Sequence, residues 1–371
     1  MTKILYIVST LKSTGPTNQL YNIVRYGDNQ NYSYTILTLS PEPNDSKIDD
    51  FKKLGVRVDT LNLSRVKGVI KGKKLVIKYV NQNKPDIIHT QGIRPDTMVV
   101  DILDNYSKIS TLRNYPWDDY PLKFGKFKGS ILARRHLKTI SKSKKIITCS
   151  RSLKEEFYNK NNFDFEYIQN GVDTEKYYSP TTEETENLKI KLGVPKDKVI
   201  FISVGSIIPR KDPINLVKGF LNSEESNKSL LYIIGEGPLI SELNGLIKNH
   251  DNVILCGKKN NVADYLKVAD YFISTSLSEG LPNTVLEAMA SGLPVCLSDI
   301  SSHTEILDYN SEAGIITPLQ DSKVLSSSIN NMLKADYKKM SASALDIINQ
   351  HLSAEKMSNK YHNAYYKLKN S

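Results

Sequence analysis

Glu279 and Glu287 stand with seven residues between them in the stretch Asp270 to Asp299, DYFISTSLSEGLPNTVLEAMASGLPVCLSD. The residues around them suit a ligand that is part anion and part polyol. Tyr271 to Thr275 is a short apolar run of strand character, and Gly280 with Pro282 keeps strand or helix from crossing the next loop. A helix is expected from about Asn283, with Asn283 or Thr284 as its cap. Its first amides and the positive end of its dipole then face a loop at a strand's carboxyl end, where α/β proteins bind anions. Glu279 precedes the turn Gly280, Leu281, Pro282, Asn283, Thr284, and Glu287 lies about one turn into the helix. Carboxylates only accept hydrogen bonds, so two of them beside an anion site call for a ligand that also offers hydroxyls. A sugar nucleotide carries sugar hydroxyls, a diphosphate and ribose hydroxyls in that order. Taken alone, the pair reads more simply as two solvated glutamates.

Other chemistry-capable residues also fall where strands end. Arg210 and Lys211 follow the strand-like Val199 to Val204 in the loop Gly205-Ser206-Ile207-Ile208-Pro209-Arg210-Lys211, where two cations can neutralise a diphosphate. Gly235 and Gly237 follow Ser229 to Ile234, and Gly15 follows Lys3 to Ser9 ahead of a helix from about Thr17 to Arg25. A glycine loop between strand and helix is by itself a weak phosphate signal. In the first half, His89 and Arg94 follow Ile87-Ile88, and Arg113 and Asp119 follow Ile109 to Leu112. These four suit contacts to a second substrate, or simply hydrogen bonds that stabilise loops.

The elements that must position these residues alternate. Strand-like runs at Tyr34 to Leu39, Val56 to Leu61, Ile87 to His89, Ile109 to Leu112 and Ile146 to Cys149 are separated by helical periodicity near Ile48 to Leu54, Ile70 to Asn81, Asp96 to Tyr106 and Lys126 to Ile140. Such alternation predicts a parallel, doubly wound sheet. The second half repeats the pattern, with a polar linker expected over Ser179 to Lys198 and helices over Asp321 to Lys334, Lys338 to Gln350 and Ala354 to Leu368. A chain of 371 residues, 39% apolar and 24% charged, has room for two such domains.

Cys149, Cys256 and Cys296 are far apart and lack the spacing of a zinc site or a disulfide framework, so they read as reduced thiols. The six histidines show no ligand spacing, and no metal site is expected. No apolar run approaches the roughly 18 residues of a membrane span, and Met1 to Ser9 lacks a signal peptide's apolar region, so a cytoplasmic protein is expected. Residues 1–165 hold 29 Lys and Arg against 15 Asp and Glu, and Pro121 to Lys145 holds nine basic residues and no acid. Phe124, Phe127, Ile131, Leu132 and Leu137 interleave with these charges at helical spacing. The segment from Lys123 to Lys145 suits an anionic membrane surface, or a solvated basic helix equally well. No nucleic-acid recognition motif accompanies the charge, and no nucleic-acid partner is expected.

The run SEGLPNTVLEAMASGLPV resembles the E-x7-E signature of retaining glycosyltransferases with the GT-B fold, family 4, of the bacterial cell-surface polysaccharide type. The resemblance extends over nearly the whole chain and is strongest from Val199 to Leu307. It implies two Rossmann-like domains facing each other across a cleft: an acceptor domain over 1–170, a donor domain over 171–352, and a C-terminal helix over 353–371 packing back on the first. It implies that Glu279 contacts donor sugar hydroxyls, Glu287 the ribose, and the turn between them the diphosphate. Gly15, Gly205, Ser206, Gly235 and Gly237 take the places of the family's donor-facing loops, and Lys211 that of its catalytic lysine. Ser206 stands where the family usually has arginine, which leaves Arg210 as a substitute. Arg113 stands where it often has histidine, so no catalytic histidine carries over.

The function so implied is retaining, metal-independent transfer of a sugar from a nucleoside diphosphate sugar, UDP-linked, to a glycan or lipid-linked acceptor in capsule or other surface polysaccharide synthesis. No cofactor is expected beyond the donor substrate. A sugar-nucleotide epimerase of the same fold and a non-catalytic glycan-binding homologue are the alternatives. The basic segment adds an expected peripheral place on the inner membrane face.

Overall fold

Two sets of β-branched runs, each alternating with amphipathic helices, form two parallel sheets in the computed structural model, which describes residues 1–100, 103, 105–143 and 145–370. The chain divides into two units, Met1–Gly171 with Ala354–Ser371, and Val172–Ser353.

Unit 1 holds seven strands: β1 (Thr2–Val8), β2 (Tyr32–Thr38), β3 (Arg57–Thr60), β4 (Ile87–Gln91), β5 (Ser107–Leu112), β6 (Ile146–Thr148) and β7 (Glu166–Tyr167). They lie in the order β3-β2-β1-β4-β5-β6-β7, and every paired neighbour is parallel. The helices are α1 (Gly15–Arg25), α2 (Ile48–Lys53), α3 (Arg65–Asn83), α4 (Ile93–Val99), α5 (Pro116–Phe124), α6 (Lys126–Ile140) and α7 (Arg151–Asn161). Strand β1 is apolar and buried from Ile4 to Val8 because both of its faces are covered there, as a parallel sheet requires. Ile4, Tyr6 and Val8 join one core with Leu20, Ile23 and Val24 of α1, while Leu5 and Ile7 join another with Val76 and Val80 of α3 and Met98 and Val99 of α4. Each such side chain contributes about 1.5–3 kcal/mol of burial.

Unit 2 begins with α8 (Thr182–Leu192) and holds β8 (Val199–Val204), α9 (Pro213–Leu221), β9 (Ser229–Ile234), α10 (Ile240–Leu246), β10 (Val253–Gly257), α11 (Val262–Val268), β11 (Tyr271–Ser274), α12 (Asn283–Ala290), β12 (Val295–Ser298), α13 (Ser301–Leu307), β13 (Gly314–Thr317), α14 (Ser322–Lys334) and α15 (Tyr337–Ile347). The sheet order is β10-β9-β8-β11-β12-β13, again parallel. In each unit the order reverses once, between β1 and β4 and between β8 and β11. Loops leaving the carboxyl ends of those strand pairs diverge and leave a crevice, the usual ligand position in open α/β sheets.

Several expectations need correction. The stretch from Ser179 to Lys198, expected as a linker, contains α8, on which no residue is fully buried, so apolar periodicity had nothing to mark. Its ends were nevertheless legible: Thr181 accepts from the Glu184 amide as a capping residue, and Gly193 closes the helix with φ +68. The loop expected over Arg113 to Tyr120 turns helical at Pro116, with proline in the first turn beside Asp118 and Asp119. The helix expected over Asp96 to Tyr106 runs instead from Ile93 to Val99; residues 101, 102 and 104 of that expectation lie outside the described residues.

The last helix, α16 (Ala354–Asn370), belongs to unit 1. Ser358 Oγ donates to the Ile23 carbonyl at 2.7 Å, and the Tyr361 and Tyr365 rings are fully buried in the core shared with β1 and α1. The Tyr365 hydroxyl lies 2.6 Å from that of Tyr6 and 2.7 Å from His89 Nδ1, and His89 Nε2 lies 2.8 Å from Thr111 Oγ1. One phenol therefore satisfies two buried groups. Tyr365→Phe is expected to cost about 1–3 kcal/mol through the partners left unpaired, read as a lower urea midpoint at unchanged m value; an unshifted midpoint would show that α16 is held by apolar packing alone.

Candidate active site

The loop after β8 is sewn to the loop after β11. A single 3-10 turn, Pro209–Lys211, presents Arg210 and Lys211, and Asp212 ends it in the left-handed region with φ +48. Thr275 Oγ1 donates to the Lys211 and Asp212 carbonyls at 3.1 and 2.9 Å, and the Leu277 amide donates to the Arg210 carbonyl at 2.8 Å. Gly205 lies close beside this turn: a Cβ there would sit 3.3 Å from Lys211 Cε, so any larger residue would press on the Lys211 side chain. Gly235 and Gly237 have a backbone reason of their own. A Cβ would fall 1.7 Å from the Gly205 carbonyl oxygen at the first and 2.1 Å from that of Ile207 at the second. The two glycines thus let one loop close on the other, with the Ile207 amide donating to the Glu236 carbonyl at 2.9 Å. Ser206 is exposed.

Glu279 joins the two cations. Its Oε1 lies 2.5 Å from Lys211 Nζ and its Oε2 lies 2.9 Å from Arg210 Nη1, which also donates to the Ser278 carbonyl. The Glu279 side chain is 10% exposed and those of Arg210 and Lys211 are 22% and 20%. Burial pushes the Glu279 carboxyl upward, but the charges of Lys211 and Arg210 outweigh it and hold the group at about 2. The cluster therefore carries two positive charges and one negative.

Helix α12 starts at Asn283 with Pro282 in the cap position, and no side chain caps it; Asn283 and Thr284 are its first residues rather than its caps. Gly280, Leu281 and Pro282 are buried, while Asn283, Thr284 and Glu287 are half-buried at the open side of the turn. Glu287 accepts from the hydroxyl of Tyr177, a buried residue that no sequence signal marked. His303 was also missed. It is fully buried, its Nδ1 lies 2.9 Å from the Ser298 carbonyl, and its Nε2 has no hydrogen-bond partner. Burial lowers it to about 4, with Glu279 and Lys211 close enough to act on it in opposite directions.

In unit 1, Gly15 is the first residue of α1, so this helix starts earlier than expected. His89 is corrected as an acceptor contact: it lies inside β4, is fully buried, and has both ring nitrogens engaged. Burial, and secondarily the Arg113 charge, lower it to about 3, which keeps it neutral. Arg94, Arg113 and Asp119 do come together, around a cavity of about 270 Å³ at the carboxyl ends of β4 and β5. Arg94 donates to Ser40 Oγ and, at 3.2 Å, to the Leu63 carbonyl; Arg113 Nη1 donates to Asn170 Oδ1 at 2.5 Å; Asp119 accepts from Lys123 Nζ at 2.7 Å. Tyr120 and Gln91, also on this wall, were not singled out in the sequence. The Tyr120 hydroxyl lies 2.7 Å from His136 Nδ1, and His136 Nε2 lies 2.8 Å from the buried Asp96. This contact pairs positions too far apart in sequence for spacing to reveal.

The Glu279 pair yields a prediction. Glu279→Gln removes the carboxylate between two partly buried cations and is expected to lower stability at pH 7 by about 1–3 kcal/mol, short of the 3–5 for a fully buried pair. The folded-state value lies below the ordinary 4.5, so the stabilisation is present above 4.5 and is lost as pH falls toward about 2. The wild-type advantage in urea unfolding should shrink over that window; an advantage that is constant with pH would contradict the ion pair.

Residues 13–176 match the family Glycosyltransferase Family 4, and residues 184–346 match Glycosyl transferases group 1. The chain is 29% identical over 177 residues to the UDP-Gal:alpha-D-GlcNAc-diphosphoundecaprenol alpha-1,3-galactosyltransferase of Escherichia coli, an alignment that covers 43% of this chain and 46% of that protein. Three further curated relatives are covered over 56 to 60% of their length. Full-length similarity, 26% identity over 99% of this chain and 98% of the relative, links it to the O-antigen biosynthesis glycosyltransferase WclY of Escherichia coli. Anabaena Alr3699/HepE in complex with UDP superposes with a TM-score of 0.83 at 15% identity, over 99% of this chain and all of that one, a likeness of fold. With one family matching most of unit 1 after β1 and the other matching the whole sheet of unit 2, the chain belongs to the GT-B glycosyltransferases of family 4 type.

Proposed function

We propose that this chain transfers a sugar, a hexose, from a UDP-linked donor to a hydroxyl of a glycan or lipid-linked acceptor, with retention of anomeric configuration, in the assembly of a bacterial capsule or related surface polysaccharide. The observation that carries this reading is the cluster of Arg210, Lys211 and Glu279 before the start of α12, at the point where the unit 2 sheet order reverses. Two cations and a helix start suit a diphosphate, and two carboxylates suit the hydroxyls on either side of it. The printed name of the Escherichia coli relative includes UDP-Gal and a diphosphoundecaprenol-linked sugar, and the Anabaena neighbour was solved with UDP; both names support the choice of donor and acceptor class.

On this reading the diphosphate leaves from the sugar face that the acceptor hydroxyl attacks, and a phosphate oxygen takes the acceptor proton. Negative charge grows on the leaving oxygen as the bond breaks. Lys211 and Arg210 meet it as preorganised donors, without a divalent ion. Glu279, released from the cations by the arriving phosphates, accepts from the sugar hydroxyls. Glu287, oriented by Tyr177, accepts from the ribose. Gly205, Ser206, Gly235 and Gly237 supply close backbone approach around the donor in unit 2, and in unit 1 the loops with Gly15, Arg94, Arg113 and Asp119 are assigned to substrate contacts, with the acceptor received by the last three.

The test is a panel of UDP-sugars scored for hydrolysis and transfer. With the active donor, Lys211→Ala should lower kcat by about 100-fold or more while changing donor KM far less. A kcat within a few-fold of wild type would remove Lys211 from the reaction.

The acceptor class also bears on where the protein works. No described helix is long and apolar enough to cross a membrane. Leu122, Phe124, Phe127 and Ile131 are 66%, 40%, 83% and 54% exposed on α5 and α6, and Lys123, Lys126, Lys128, Arg134, Arg135 and Lys138 are exposed beside them. Lys144 of this basic segment lies outside the described residues. Exposed apolar groups among cations suit peripheral docking on the anionic inner membrane face, at about 1 kcal/mol per basic residue. Sedimentation with phosphatidylglycerol vesicles should exceed that with phosphatidylcholine vesicles and fall in Phe127→Ser/Ile131→Ser; equal sedimentation with both lipids would exclude the docking.

A further inference from the structure

The cavity in unit 1 has a charge that its own walls do not answer. Of its cations, Lys123 is paired with Asp119 at 2.7 Å, and Arg94 is engaged, with donations to Ser40 and Leu63 among its contacts. Arg113 is different. Nη1 donates to a neutral amide oxygen, that of Asn170, while Nε and Nη2 are buried with no hydrogen-bond partner. Gln91 Nε2, on the same wall, is also buried and unpartnered.

A guanidinium cannot shed its proton to escape burial, and each unmet buried donor costs about 1–3 kcal/mol, more when charged. Among the described residues, no acid in the wall is free to serve it. Asp119 is taken by Lys123, and the nearby Asp96 by Thr90 and His136. The unmet groups are all donors, so what completes them is an acceptor-only group of negative charge, and a planar fork of N–H groups matches a carboxylate or phosphate. Beside this anion position stands Tyr120, whose ring is stacked against His136 with 14° between planes and whose hydroxyl is fixed by the same histidine. A ring wall next to an oxyanion position suits a sugar that bears the charge.

We propose that the acceptor is an anionic saccharide, a sugar phosphate or a uronic acid, whose oxyanion seats on Arg113 and Gln91 in the unit 1 cavity with its ring against Tyr120. This rests on the glycosyltransferase reading and goes beyond it by naming the charge on the second substrate.

The test is calorimetry on the full chain, with UDP held at saturation so that phosphate probes do not report on Arg210 and Lys211. N-acetylglucosamine 1-phosphate, glucuronate and neutral methyl glucoside are titrated at millimolar concentration into wild type, Arg113→Gln and Arg113→Lys. Expected is binding of at least one anionic probe in preference to the neutral one, weakened about tenfold or more in Arg113→Gln and partly restored in Arg113→Lys. Preference between phosphate and carboxylate identifies the group. A urea unfolding transition at an unchanged m value in both variants shows that unit 1 remains folded, and UDP affinity within about twofold of wild type shows the same of unit 2. Anionic binding that is indifferent to Arg113→Gln, or no binding by either anionic probe, overturns the proposal. Failure of UDP to bind would count against the donor assignment instead, and the difference between wild type and Arg113→Gln in titrations without UDP would still decide the oxyanion site, since Arg210 and Lys211 are common to both.

Discussion

The arrangement of unit 2 depends on one carboxylate held between two cations. Glu279 comes from the loop after β11 and Arg210 and Lys211 from the loop after β8, so their pairing fixes the two loops that diverge where the sheet order reverses. The Thr275 and Leu277 hydrogen bonds set the backbone register, and the Gly205, Gly235 and Gly237 approaches allow the loops to close that far. Charge then decides what the site accepts. Two largely buried cations without a counter-ion would be costly, and Glu279 supplies one while leaving a net positive charge for a ligand with more negative charge than a single carboxylate. A diphosphate meets that condition, and its arrival would return Glu279 to its capacity as an acceptor of hydroxyls.

Unit 1 solves a different electrostatic problem. His89, Tyr6, Thr111, Tyr361 and Tyr365 form a chain of hydroxyl and imidazole groups with 1% or less exposure. Burial holds the imidazole neutral and raises both Tyr6 and Tyr365 well above the usual phenol range. The network is a structural tie across β1, β4, β5 and α16 rather than a reactive site. Arg113 adjoins it, and its charge contributes to lowering His89. A neutral network beside a fixed cation gives that cation no counter-charge.

Much of this was legible in the residue order, for reasons that differ by element. The doubly covered strands announced themselves because burial on both faces makes Lys3 to Ser9 or Val199 to Val204 nearly continuous in apolar character. The stretch from Glu279 to Glu287 was legible because turn, helix start and carboxylates lie within one short segment. Helix α8 escaped because it buries no residue, and α5 because Pro121 inside it reads as a break. The pairing of Glu279 with Arg210 and Lys211 joins residues far apart in the chain, and only the parallel register of β8 with β11 brings them together. His89 looked like a loop residue because a strand's end cannot be placed to within a residue or two from its pattern. Tyr177, His136 and His303 sat in contexts where the chain offers no local sign of their partners.

The return of α16 to unit 1 has a bearing on how the protein is made. Polypeptide emerges from the ribosome in order, and N-terminal domains usually fold first. Here the sheet of unit 1 is synthesised before any of unit 2, yet the helix that covers Ile4, Tyr6 and Ile23 follows the whole of unit 2 in the chain. Until α16 emerges, that apolar face stays uncovered during translation and exposed to chaperones, so the first unit begun is the last one finished.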